Sequence, residues 1–173
     1  MADIAKTISV VNQMMTDGII ENYALGGATA VIFYTEPIAT EDVDIFVQLK
    51  ISGNPLMEFQ PIFDYLKDKG YQMKGEHFYV EGFPVQFLPT GTALLDEAVT
   101  EANEFQLTNE VVVHVMTPEH LVAIMLNTGR LKDYLRISVF LQHEVVNLDE
   151  LQSILAKYNL ARKWKDNIGK FQL

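Results

Sequence analysis

Two short groups of residues in the first third of the chain have a type and spacing that could do chemistry. Asp42-Val43-Asp44 opens the run Val43 to Leu49, in which apolar residues recur at every second position, as in a half-buried strand. Successive side chains of a strand face opposite ways. Val43, Ile45 and Val47 therefore turn toward a core, and Asp42 and Asp44 share the other face with Cα atoms about 6.5 Å apart. Carboxylates that close repel unless a cation lies between them. Magnesium suits them, being a hard ion that takes oxygen ligands and keeps waters for substrate phosphates. The plainer alternative is a solvated pair at a strand end, although acidic residues are poor strand formers. Fifteen residues earlier, Leu25-Gly26-Gly27 falls at a strand-to-helix turn. Glycine permits positive φ and a close ligand approach, and the next helix would aim its N-terminus at that spot, giving a phosphate seat that includes Thr29. Here the alternative is an ordinary tight turn. Taken together, a glycine turn and a carboxylate pair can hold a nucleoside triphosphate, with one or two magnesium ions bridging its phosphates. Arg130, Lys132 and Arg136 are the best local cations. Arg130 and Lys132 are candidates for phosphate binding, Arg130 because its planar fork pairs two oxygens. A surface ion pair with Asp133 is the competing role for Arg130.

These residues need elements to place them. Residues 2–17 read as a helix with Ile4, Ile8, Val11 and Met15 on one stripe and Gly18 as its stop. Tyr23–Leu25 is a short apolar strand, Ala28–Tyr34 a short helix ended by Pro37, and Val43–Leu49 a strand. Pro55–Lys69 reads as a helix closed by Gly70, with Pro61 expected to shift its start later. Three short β runs follow, at 71–74, 77–80 and 84–88. Then come a helix over 93–102 and a β-branched strand over 110–116. Thr117-Pro118-Glu119 is a helix start, with threonine as cap and proline in the first turn. Everything after it reads as helical, over 118–128, 131–145, 148–158 and 160–168. The fold class is α+β: a front of 1–116 that carries the strands and a helical rear lobe of 117–173 packed on it.

The stretch from Tyr23 to Val47 resembles the signature of the nucleotidyltransferase superfamily, a Gly-Gly or Gly-Ser turn followed by Asp-x-Asp on the next strand. It is most similar to small bacterial members, the abortive-infection toxin and lincosamide-type nucleotidyltransferases. Thr40-Glu41-Asp42-Val43-Asp44 fits that group's Thr-x-Asp-x-Asp. In the rear, Thr117-Pro118-Glu119-His120-Leu121 begins one helix. Gly129-Arg130-Leu131-Lys132-Asp133 begins the next and is similar to the group's Gly-Arg-x-Lys-Asp, which follows a helix packed near the nucleotide. The resemblance implies a mixed sheet flanked by helices with a C-terminal helical lobe, and Asp42 and Asp44 as catalytic metal holders. It also implies a third carboxylate from a later strand. That position falls on Gln86, because Val85 and Phe87 turn to the core; a glutamine offers a neutral oxygen and cannot be a base. Glu41, Glu76 and Glu81 are nearby in sequence as substitutes. A second departure is Met125, near which the group often has a lysine. The implied function is magnesium-dependent transfer of a nucleoside monophosphate to a hydroxyl on a protein, an RNA end or a small molecule. The alternative is a degenerate nucleotide-binding or toxin–antitoxin-type interaction module, with a protein partner or a second copy of the chain.

Composition narrows the classes. The chain has 173 residues, 49% hydrophobic and 21% charged, a globular balance. It has no cysteine, which excludes disulfides, thiolate metal sites and a thiol nucleophile, and the reducing cytoplasm is the expected home. The N-terminus lacks the long apolar core of a secretory signal, and no stretch is long enough to span a bilayer. The net charge is −10. Residues 1–129 carry 5 basic and 18 acidic residues, and residues 130–173 carry 8 and 5. Such an acidic surface repels duplex nucleic acid. The basic tail suits either a bound anion or ordinary solvated helix faces. His77, His120 and His143 share no metal-ligand spacing, and His114 reads as a satisfied core or edge histidine. No serine lies in a G-x-S-x-G context, so a hydrolase triad has no support.

Overall fold

The computed structural model describes residues 3–35, 42–50 and 55–171. Pro37, Thr40, Glu41 and Ser52 lie outside the described residues. The elements in chain order are α1 (Ile4–Thr16), β1 (Asn22–Leu25), α2 (Gly27–Val31), β2 (Val43–Gln48), α3 (Pro55–Asp68), β3 (Gln72–Lys74), β4 (His77–Val80), β5 (Phe83–Pro89), α4 (Ala93–Thr100), β6 (Asn103–Gln106), β7 (Val112–Val115), α5 (Pro118–Thr128), α6 (Leu131–Gln142), α7 (Leu148–Lys157) and α8 (Ala161–Asn167), with a 3-10 turn at Ile168–Lys170. Among the described residues no helix is long and apolar enough to cross a membrane.

Seven strands form one mixed sheet in the order β3-β4-β5-β2-β1-β7-β6. At its centre β2 runs antiparallel to β1 and parallel to β5, and β1 runs parallel to β7. The period-2 pattern of β2 sets its two faces. Val43, Ile45 and Val47 are buried, with Val85 of β5 beside Val43 and Phe78 of β4 opposite Val85. On this face α3 lays Phe63 on Phe78, ring centroids 5.5 Å apart. The helix α1 is pinned by Thr7, whose hydroxyl donates to the Val80 carbonyl at 3.0 Å, and by Asn12, whose amide donates to the Val112 carbonyl at 2.9 Å. On the other face Gln48 reaches α4, donating to the Asp96 carbonyl and the Thr100 hydroxyl.

Two elements differ from the sequence reading. The strand β6 was not expected: Asn103-Glu104-Phe105-Gln106 has one apolar residue and no alternation. It forms because it is an edge, paired antiparallel to β7 alone, where polar side chains stay in water. Pro61 sits inside α3 instead of delaying its start. It is exposed there, so water can satisfy the carbonyl that a proline leaves without a donor. The short helix over 28–34 is trimmed to Gly27–Val31, and most other ends move by one to three residues.

Past β7 every element is helical. The Thr117 hydroxyl accepts from the His120 N–H at 3.3 Å, Pro118 occupies the first turn of α5, and Gly129 ends it at φ +72. The buried Asp133 carboxylate then caps α6, accepting from the Arg130 N–H at 3.3 Å. This tight α5–α6 corner brings the basic residues of α6 back over the sheet.

Candidate functional site

The site begins with β2. Asp42 precedes the strand and Asp44 is its second residue, so both lie on the face opposite Val43. The Gly26 N–H donates to the Asp44 carbonyl at 3.0 Å, tying the glycine turn to this strand. Gly27 has φ +56, and a Cβ built on it would lie 1.9 Å from Asp44 Oδ2 and 2.8 Å from its Cγ. The carboxylate thus occupies the place where any other residue would carry a side chain. Gly26 is required for a different contact: its Cβ would meet the Phe46 ring at 2.5 Å. The two glycines therefore let the turn lie flat against the Asp44 and Phe46 side chains.

Between this turn and the α5–α6 corner is a cavity of about 350 Å³. Its floor and one wall are apolar, from Phe46, Leu88, Met116, Leu121, Ile124 and Met125. Its rim is polar, from Gly27, Asp44, Gln86, Thr128, Arg130, Asp133 and Arg136. Burial and then the charge of Asp42 push the Asp44 carboxyl above the ordinary aspartate value. Arg136, His77 and Lys132 pull it the other way. At Asp44 these cations do not offset burial and the neighbouring carboxylate.

Each residue singled out in the sequence has a definite place. Gln86 stands beside Asp44 across the parallel β2–β5 pairing and donates its amide N–H to Glu76 Oε2 at 3.2 Å. Glu81 accepts from the Tyr71 hydroxyl at 2.6 Å. The Thr29 hydroxyl donates to the Asp42 carbonyl at 2.9 Å, so it fixes the start of β2. Arg130 forks onto Asp133 at 2.7 and 3.1 Å. Arg136 lies 3.7 Å from the same carboxylate, which is 1% exposed. One buried anion thus orders two guanidiniums on the rim of the cavity. Lys132 is exposed and acts on Asp44 only through its charge. Met125, where a lysine was looked for, is part of the apolar wall.

Arg136, counted in the sequence among the local cations but not assigned to phosphate, follows Asp133 by three residues, one helical turn. His77 was not expected: its Nε2 lies 3.4 Å from Asp42 Oδ2. Antiparallel counting from Val85 would have placed it opposite Gln86. Of the other three histidines, His143 stands at the C-terminal end of α6 and two have structural partners. His114 stacks on Tyr23, and the buried His120 bridges Thr117 and Glu97.

The donor set fits a hard divalent ion. Two carboxylates share one strand face, and an amide side chain stands beside them. Among the described residues no three or more histidine, aspartate or glutamate side chains are grouped to hold a metal. Two carboxylates and an amide would leave coordination positions to water and to a substrate's phosphates, as magnesium prefers.

No protein-family model and no curated protein sequence matches the chain. Solved structures do. An antigenic nucleotidyltransferase-like protein from Paracoccidioides brasiliensis superposes with a TM-score of 0.56 at 16% identity, covering 99% of this chain and 94% of that one. The solution structure of the antibiotic-resistance factor ANT(2'')-Ia superposes with a TM-score of 0.55 at 10% identity, covering 96% and 97%. At such identities the shared property is the architecture, and this chain has the nucleotidyltransferase-like fold of those two structures.

Proposed function

We propose that the protein transfers a nucleoside monophosphate from a nucleoside triphosphate to a hydroxyl acceptor. The observation that carries this reading is the Asp44 carboxylate packed into the space left by Gly27, at the mouth of a cavity rimmed by Arg130 and Arg136. Asp42 and Asp44 would hold one or two magnesium ions, which supply charge neutralisation for the triphosphate. The Gly26-Gly27 turn would lie along the phosphates, Arg130 and Arg136 would take their outer oxygens, and Lys132 would add long-range attraction. The acceptor oxygen bonds to the α-phosphorus as the bond from that phosphorus to the bridging oxygen of the β-phosphate breaks. Pyrophosphate leaves with the electron pair, and the hydroxyl proton passes to water. The protein's contribution is positioning and preorganised charge. The net charge of −10 favours a cationic small molecule as acceptor over an RNA end. The likeness to an antibiotic-resistance factor supports the same choice.

The test is transfer from labelled nucleotide with and without magnesium. Asp42→Asn and Asp44→Asn should each reduce magnesium-dependent transfer about 100-fold or more while the protein stays folded. Undiminished transfer in either variant would overturn the assignment. A second reading has one observation of its own. Gln86 stands beside Asp44 where a carboxylate could have served as a base, which favours a module that binds nucleotide without turning it over. Under that reading the wild type transfers none of the four nucleotides, yet magnesium and nucleotide together raise its melting temperature. A toxin–antitoxin-type partner would then be its output.

A further inference from the structure

The turn between β3 and β4, with Gly75 at φ +62, sets two consecutive side chains against the strands that carry the site. Glu76 accepts from Gln86 on β5, and His77 faces Asp42 at the head of β2. The pairing dictates this arrangement. Phe78, Val85 and Val43 are buried in line across β4, β5 and β2. Alternation then puts His77, Gln86 and Asp44 on the opposite face of the sheet, with Asp42 beside them. His77 Nε2 is itself buried and makes no ordinary hydrogen bond among the described residues. It faces the Asp42 carboxylate at 3.4 Å.

Asp42 lies one residue outside the strand, so the sheet ladder does not fix it as it fixes Asp44. The Thr29 hydroxyl holds its carbonyl, and a ligand aspartate also gains from a donor on its side chain. A second group that holds one carboxylate oxygen leaves the other presented to a cation and limits rotation about the Cβ–Cγ bond. We propose that His77 is a positioning residue for Asp42: its imidazole, with a proton on Nε2, holds one carboxylate oxygen so that the other faces the cation shared with Asp44. The inference rests on the reading of this face as a cation and nucleotide site. The role is geometric and needs no change of charge on the ring.

The experiment titrates magnesium against the full chain at fixed ATP and reads the concentration giving half of the nucleotide-dependent rise in melting temperature. His77→Phe keeps the ring volume and removes the donor, and should raise that concentration about tenfold or more. His77→Gln restores an N–H and should stay within about threefold of wild type. If His77→Phe titrates like wild type, the role of His77 is overturned and the proposed function stands. If the wild type shows neither a magnesium-dependent shift nor transfer, the site reading itself is overturned, and this inference with it. Should His77→Phe fail to fold, manganese added to the wild type decides. The ring protons of His77 should broaden at a lower manganese concentration than those of His114, His120 and His143. Simultaneous or later broadening overturns the proposal.

Discussion

Gly27→Ala is the sharpest perturbation of this site, because the added methyl carbon would fall 1.9 Å from Asp44 Oδ2 and 3.2 Å from its Cβ. Two costs combine. An alanine at φ +56 adopts the left-handed region at about 1–2 kcal/mol. The Asp44 side chain must also leave its rotamer, at about 0.5–1.5 kcal/mol. The sum, about 1.5–3.5 kcal/mol, corresponds to a fall in melting temperature of roughly 3–14 °C for a chain of this length. The functional cost is larger. The carboxylate oxygen must retreat by more than about 1 Å, and a misplacement of that size costs about 100-fold in a positioned reaction. Thermal denaturation and magnesium-dependent nucleotide binding measure the two effects. A double-mutant cycle isolates the contact. In an Asp44→Ala background the oxygens and Cγ are gone, so Gly27→Ala should cost only the backbone part, about 1–2 kcal/mol. Equal losses in both backgrounds, or an unaltered nucleotide response in the single variant, would refute the packing of Asp44 into the glycine turn.

Asp133→Asn removes the buried anion that holds Arg130 and Arg136. It should destabilise the protein by about 1–2 kcal/mol, since the guanidiniums that lose their partner remain in contact with water, and it should weaken nucleotide binding; unchanged binding would detach this cluster from the site. Glu97 is different in kind. The Lys157 ammonium, with the Tyr158 hydroxyl and His120, holds its carboxyl below the ordinary glutamate value. Its ionised form is therefore favoured by folding, and that stability is present above the unfolded value and lost as the pH falls through the lowered one. Glu97→Gln should accordingly lower the melting temperature at pH 7, with the gap to wild type closing on acidification; a gap that does not close would contradict the sign.

Local pattern was enough for the strand that carries the acids. A period of two and three buried β-branched residues leave no other placement for Asp42 and Asp44 than a shared face, and the α5 boundaries follow from Thr117, Pro118 and Gly129 for equally local reasons. The same locality explains what was missed. Nothing within Asn103–Gln106 marks a strand, because an edge gains its order from the neighbour it pairs with. The identity of Gly27 was legible as a turn, but its reason is the Asp44 carboxylate, seventeen residues away and brought against it only by the antiparallel β1–β2 pairing. Thr29 looked like a phosphate ligand by position, whereas its hydroxyl is taken by the Asp42 carbonyl. His77 reaches the site through a hairpin turn, and Arg136, legible only as a cation, through a helix corner, elements whose direction no short window encodes. The amino-acid order by itself determined which side chains lie on a common face of each element, since that depends only on the repeat of the backbone. Which faces meet, and so which carboxylate has a guanidinium, an imidazole or a glycine opposite it, was decided by the packing of the sheet against α5 and α6, because those contacts join residues far apart along the chain.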